Sequence, residues 1–108
     1  MRVLVVDDDA VDKELLGGIL TEGGHEVTTA GNGREAMELL RAGRSSVVIS
    51  DWVMPAMDGL ELCRAIRKED LGRYVYVILL TGHGGARHMV EGLSAGADEF
   101  MFKPVQPA

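Results

Sequence analysis

Five short apolar runs alternate with four stretches of helical spacing, and no other feature restricts the fold as much. The runs are Val3 to Val6, Glu26 to Ala30, Val47 to Asp51, Tyr74 to Leu80 and Glu99 to Phe102. Val47-Val48-Ile49 shows the type. It stops at Ser50-Asp51, and a loop follows with Met54-Pro55 and the turn pair Asp58-Gly59. Apolar runs of this length, bounded by turn residues, read as buried strands of a parallel sheet. Strands that alternate with helices require right-handed crossovers and helices on both faces of the sheet. The expected fold is therefore α/β, a three-layer doubly wound sheet of five parallel strands with the pattern (βα)₄β. The run at 26–30 carries Val27 and two threonines and suits a sheet edge, while YVYVILL at 74–80 suits the centre.

The helical stretches carry their own start and stop signals. Asp9 or a neighbour can cap the first helix by accepting orphan N–H groups. Val11, Leu15, Leu16, Ile19 and Leu20 then share one face. Gly17-Gly18 costs about 1 kcal/mol per residue against Ala inside a helix, so close packing is expected there. Gly23-Gly24 ends it. Asn32 caps the second helix, which places Ala36, Met37, Leu39 and Leu40 inward and stops at Gly43. Leu60, Cys63, Ile66 and Arg67 trace the third after Gly59, with a break at Asp70 to Gly72. Ala86, Met89, Val90 and Leu93 trace the fourth, stopped at Gly96. Residues 1–108 read as one domain without internal repeat or linker.

Four strand ends carry reactive groups: Asp7-Asp8, Asp51, Thr81 and Lys103. Parallel strands bring all of them to one edge, where open α/β sheets place their functional crevice. Two carboxylates about 4 Å apart repel by about 4 kcal/mol at an effective dielectric of 20, which is about three pKa units. Either a proton is shared or a cation sits between them. Carboxylates with a backbone carbonyl and water suit Mg²⁺. A cation, the Lys103 ammonium and the Thr81 hydroxyl around one carboxylate form a clamp for a transferring phosphoryl group. Asp51 is then the nucleophile. The net charge of −6 fits a protein that gathers carboxylates and disfavours direct nucleic-acid binding. A single cysteine excludes an internal disulfide and fits a reducing compartment. The opening run is too short for a signal-peptide core, and no run has membrane-spanning length. The expectation is a cytoplasmic protein with no membrane partner.

The motifs VLVVDDD at 3–9, SDWVMPAMDG at 50–59, LLTGHG at 79–84 and AGADEFMFKP at 95–104 together resemble the response-regulator receiver domains of two-component signalling. The resemblance covers essentially the whole chain. It implies a flavodoxin-like sheet of order 2-1-3-4-5. It implies Asp51 as phospho-acceptor and Mg²⁺ held by Asp7, Asp8, Asp51 and the Val53 carbonyl. Thr81 and Lys103 would contact the phosphoryl group, with Lys103-Pro104 as a cis peptide, and Thr81 and Phe100 would act as the switch pair. The implied partners are a sensor histidine kinase or phosphotransfer protein and a downstream effector. On this reading the chain is a switch rather than an enzyme, catalysing only its own phosphorylation and dephosphorylation. Family members usually carry a fifth helix after the Lys-Pro motif, and this sequence stops at Val105-Gln106-Pro107-Ala108. The expectation is an uncovered apolar face and a homodimer formed through it, the alternative being a marginally stable, monomeric piece of a longer protein.

Two other classes compete. Asp7-x-Asp9 after an apolar strand resembles the haloacid-dehalogenase phosphatases, with Asp7 as nucleophile, but those enzymes are longer and carry a cap. A flavodoxin-like cofactor binder needs a phosphate-cradling loop after the first strand, where three acids stand instead. Several residues have plainer readings. Asp9 reads as a cap, Cys63 as core, and Met37, Met54, Met57, Met89 and Met101 as packing. His25, His83 and His88 lack metal-ligand spacing, though His83 lies near the site and could tune hydrolysis. Trp52, beside Asp51, is a natural reporter.

Overall fold

The computed structural model describes the backbone of residues 1–43, 45–54, 56–82 and 86–103, with side chains except at 86–89. The expected loop at Gly82 to Gly85 is described only at Gly82, and Pro55, the Lys103-Pro104 peptide and 105–108 lie outside the described residues, as do the side chains of Ala86, His88 and Met89. The element order is β1 (Arg2–Val6), α1 (Ala10–Glu22), β2 (Glu26–Ala30), α2 (Gly33–Ala42), β3 (Val47–Asp51), α3 (Gly59–Lys68), β4 (Tyr76–Thr81), α4 (Ala86–Ala95) and β5 (Glu99–Phe102). The five strands form one parallel sheet in the order β2-β1-β3-β4-β5. β2 is an edge, as its weak apolar content suggests. Among the described residues no helix follows β5.

The caps of α1 and α2 are those the sequence signals, and the turn pair Asp58-Gly59 adds a third. Asp9 accepts from the Val11 and Asp12 N–H groups, and Asn32 from Glu35 N–H. Asp58 and Glu61 form a capping box on α3. Two apolar clusters flank the sheet. The larger joins Leu4, Val6 and Val48 to Met37 and Leu40 of α2 and to Leu62, Cys63 and Ile66 of α3. The smaller joins Val3, Val5, Ile49 and Leu80 to Leu16 of α1.

Five local expectations are corrected. On α1, Val11 and Leu15 are exposed although they share a helical stripe with buried Leu16. Gly17 and Gly18 make no tight approach: a Cβ at Gly17 would meet Val27 in ordinary contact, and one at Gly18 nothing within 4 Å. On α4, Val90 and Leu93 are exposed, while Gly92 and Ala95 face inward. The reason is steric, since a Cβ at Gly92 would collide with the Phe100 ring. β4 begins at Tyr76 rather than Tyr74. The Tyr74 hydroxyl donates to Asp98 and its ring lies under Arg67, which holds it outside the sheet. Arg67 is no apolar-face residue either. It reaches across to the Gly96 and Val75 carbonyls and to Asp98.

Candidate functional site

The carboxyl ends of β1 and β3 are neighbours in the sheet, with Val6 opposite Ser50. Asp7 and Asp51 therefore emerge side by side. Asp7 is buried, Asp51 partly so, and Asp8 is exposed. One ligand oxygen from each of Asp7, Asp8 and Asp51 lies within 4.8 Å of the others. Burial is the main reason the Asp7 carboxyl is held above its usual range. The Asp9 N–H, donating at 2.9 Å, counteracts it, and the Asp51 charge adds to it. Two adjacent backbone groups keep this corner rigid. Trp52 N–H donates to the Leu80 carbonyl at 2.9 Å, and Gly59 N–H to the Trp52 carbonyl at 2.8 Å.

β5 carries the cation to the same edge. Lys103 N–H donates to the Thr81 carbonyl at 3.0 Å, which continues the β4–β5 pairing past Phe102. The ammonium lies 3.2 Å from Asp51 Oδ2, 3.6 Å from Asp7 Oδ2 and 3.4 Å from Asp12 Oδ2. Burial opposes its charge most strongly. The hydrogen bonds and fields of Asp51, Asp7 and Asp12 together outweigh burial and hold its pKa above the ordinary lysine value. Thr81 is buried at the end of β4, level with Phe102. Phe100 is half-buried and stacks on Trp52, with ring centroids 6.1 Å apart and planes at 26°. Val53 is exposed beside Asp51.

The residues singled out from sequence thus share one edge of the sheet: Asp7, Asp8, Asp51, Thr81, Lys103, Val53 and, one layer below, Phe100. His83 lies outside the described residues. Asp12 was not foreseen. Its only local signal is its place in the first turn of α1, and its partner stands on the last strand.

The comparisons agree with this geometry. The response regulator receiver domain family matches residues 3–108. Response regulator MprA of Mycolicibacterium vanbaalenii is 40% identical over 104 residues, which are 96% of this chain and 44% of that protein. Transcriptional regulatory protein AfsQ1 of Streptomyces coelicolor is also 40% identical, with the same 96% and 44% covered. The chain therefore spans less than half the length of these curated relatives. Among solved structures, the Vibrio cholerae chemotaxis protein CheY4 superposes with a TM-score of 0.93 at 34% identity, covering 98% of this chain and 88% of that one. The signal receiver domain of a histidine kinase from Syntrophus aciditrophicus gives 0.87 at 40% identity, covering 98% and 80%. Sequence motifs, sheet order and the acidic edge converge, and the chain belongs to the response regulator receiver domain family of two-component systems.

Proposed function

We propose that Asp51 accepts a phosphoryl group from a phosphohistidine of a sensor kinase or phosphotransfer protein. The observation that carries this reading is the convergence of Asp7, Asp8 and Lys103 on the Asp51 carboxylate. An Asp51 oxygen forms the new P–O bond as the P–N bond breaks. The imidazole leaves with the electron pair and takes up a proton. Lys103 holds a phosphoryl oxygen through its N–H donors, and the Thr81 hydroxyl offers a further donor at the end of β4.

The donor set fits Mg²⁺: three clustered carboxylates with a single ammonium leave an excess of negative charge, and every donor is a hard oxygen. Asp7, Asp8, Asp51 and the Val53 carbonyl would hold the ion, which when bound supplies charge stabilisation for the transferring group. Asp8, the exposed member, is open to exchange with solvent, whereas Asp7 is fixed by its hydrogen bond from Asp9 N–H.

Phosphorylation then biases a two-state switch. Thr81 drawn toward the phosphoryl group vacates space beside β5. Phe100, already stacked on Trp52, has no hydroxyl to desolvate on moving further in. The phosphatase alternative through Asp7 is disfavoured by the family assignment and by the burial of that carboxylate.

Homodimer formation belongs to the same reading. On α1, Asp12 faces Lys103 and Gly17 faces Val27 of β2. Helical spacing therefore turns exposed Leu15 toward β5, where Ile78 and Met101 are half-buried. Light scattering over a dilution series tests pairing through this face, and a monomer at every concentration rejects it.

The acceptor is tested with acetyl phosphate and Mg²⁺ by intact mass. One added phosphoryl group is expected on the parent and none on Asp51→Asn. Equal modification of both overturns the assignment.

A further inference from the structure

Lys103 serves one carboxylate more than the proposed chemistry requires. An ammonium has three N–H donors. Three carboxylates surround this one, Asp51 at 3.2 Å, Asp12 at 3.4 Å and Asp7 at 3.6 Å. At rest the ammonium hydrogen-bonds Asp51 and Asp12, with Asp7 a longer ion pair, so a phosphoryl group on Asp51 competes with Asp12 for it.

The three partners differ in what release costs. Asp7 is buried, and a carboxylate left there without its cation has no water to replace it. Asp51 carries the phosphoryl group itself. The Asp12 side chain is 46% exposed, so water solvates it once the ammonium leaves. Its position is nonetheless fixed. Asp9 accepts from the Val11 and Asp12 N–H groups at 2.8 and 3.1 Å, which anchors the first turn of α1 beside the Lys103 ammonium. Asp12 is thus a rigidly mounted, readily abandoned anchor on the solvent side of Lys103.

We infer that Asp12 is a positioning residue that competes with the phosphoryl group for Lys103, setting the resting pose of the ammonium and weakening its grip on phosphorylated Asp51. This rests on Asp51 being the acceptor. Asp12 does not touch the transferring group and acts through the lysine.

The test titrates Mg²⁺-loaded protein with beryllofluoride, a phosphoryl mimic, and reads Trp52 fluorescence. Asp12→Asn keeps the side-chain shape, removes the charge, and is expected to lower the apparent dissociation constant about two- to fivefold, the range exposed ion pairs are worth. Asp12→Glu restores the carboxylate and is expected to return it to the parent value. Glu14→Gln removes a charge from the same helix and is expected to leave it unchanged. Superposable far-UV spectra and melting curves show that the variants fold. With acetyl phosphate as donor, Asp12→Asn is expected to reach half-maximal rate at lower donor concentration with the maximal rate kept. Unchanged or weaker beryllofluoride binding in Asp12→Asn, beside a responsive parent, overturns the role of Asp12 alone. An equal shift in Glu14→Gln overturns it too, because the effect is then the helix's general field. A parent that neither responds to beryllofluoride nor takes a phosphoryl group on Asp51 overturns the acceptor reading as well.

Discussion

Gly59→Ala is a small change with a large expected effect. Gly59 is the first residue of α3 and lies against the end of β3. A Cβ there would stand 2.6 Å from the Asp51 carbonyl oxygen, 3.0 Å from Trp52 Cα and 3.1 Å from Leu79 Cδ2. The first two are backbone atoms and cannot swing aside. The approach is also pinned, because Gly59 N–H donates to the Trp52 carbonyl at 2.8 Å. Either the start of α3 or the end of β3 has to move. Overpacking of this kind costs about 1–3 kcal/mol, and replacing a helical glycine returns at most about 1 kcal/mol. The expected net loss is about 1–2 kcal/mol, a substantial share of the 5–15 kcal/mol typical of a domain. With a urea m-value of about 2 kcal/mol per molar, the midpoint falls by about 0.5–1 M. Trp52 fluorescence and far-UV circular dichroism follow the transition. Gly18→Ala is the control, since a Cβ there meets nothing within 4 Å in the middle of α1. It is expected to gain about 1 kcal/mol, so the two substitutions shift the midpoint in opposite directions. The strain in Gly59→Ala also bears on the peptide that holds Asp51, so phosphorylation by acetyl phosphate is expected to slow. A Gly59→Ala midpoint at or above the parent's would refute the steric argument, as would equal shifts in both variants.

Other substitutions test separate parts of the frame. Ala56 has φ +69° in the loop after β3, the left-handed region that disfavours a Cβ; Ala56→Gly is expected to raise stability by about 1 kcal/mol in the same denaturation assay. Asp98 accepts from Arg67 Nη2 at 2.6 Å and Val77 N–H at 2.8 Å; Asp98→Ala strands both donors and is expected to cost about 2–4 kcal/mol. Burial pushes the Cys63 thiol above its ordinary value, with Arg67 pulling weakly the other way. The folded state therefore holds that proton more tightly than the unfolded one, and stability is lost as the pH rises through the ordinary thiol value toward the raised one. Cys63→Ala is expected to flatten that alkaline loss, and native Cys63 to resist a thiol reagent until the protein unfolds.

Strand and helix identity were legible from the sequence because each rests on neighbours within one turn or one strand. The runs at Val3 and Val47 are apolar on both faces, as buried parallel strands must be, and the caps at Asp9 and Asn32 act on N–H groups two or three residues away. The candidate site was legible for a related reason. Parallel strands bring their carboxyl ends to one edge, so Asp7, Asp51, Thr81 and Lys103 are gathered by topology alone. Which face of a helix turns inward was decided elsewhere. Val90 and Leu93 carry the apolar spacing of α4, yet Gly92 faces the core because the Phe100 ring from the next strand fills that space. Tyr74 belongs to the longest apolar run, yet Asp98 and Arg67 hold it off the sheet. Asp12 and Lys103 stand 91 residues apart and meet because the first turn of α1 and the end of β5 open onto the same edge of the sheet, where the long lysine side chain reaches across. Local spacing carries no term for a partner so distant, and only the assembled sheet decides that contact.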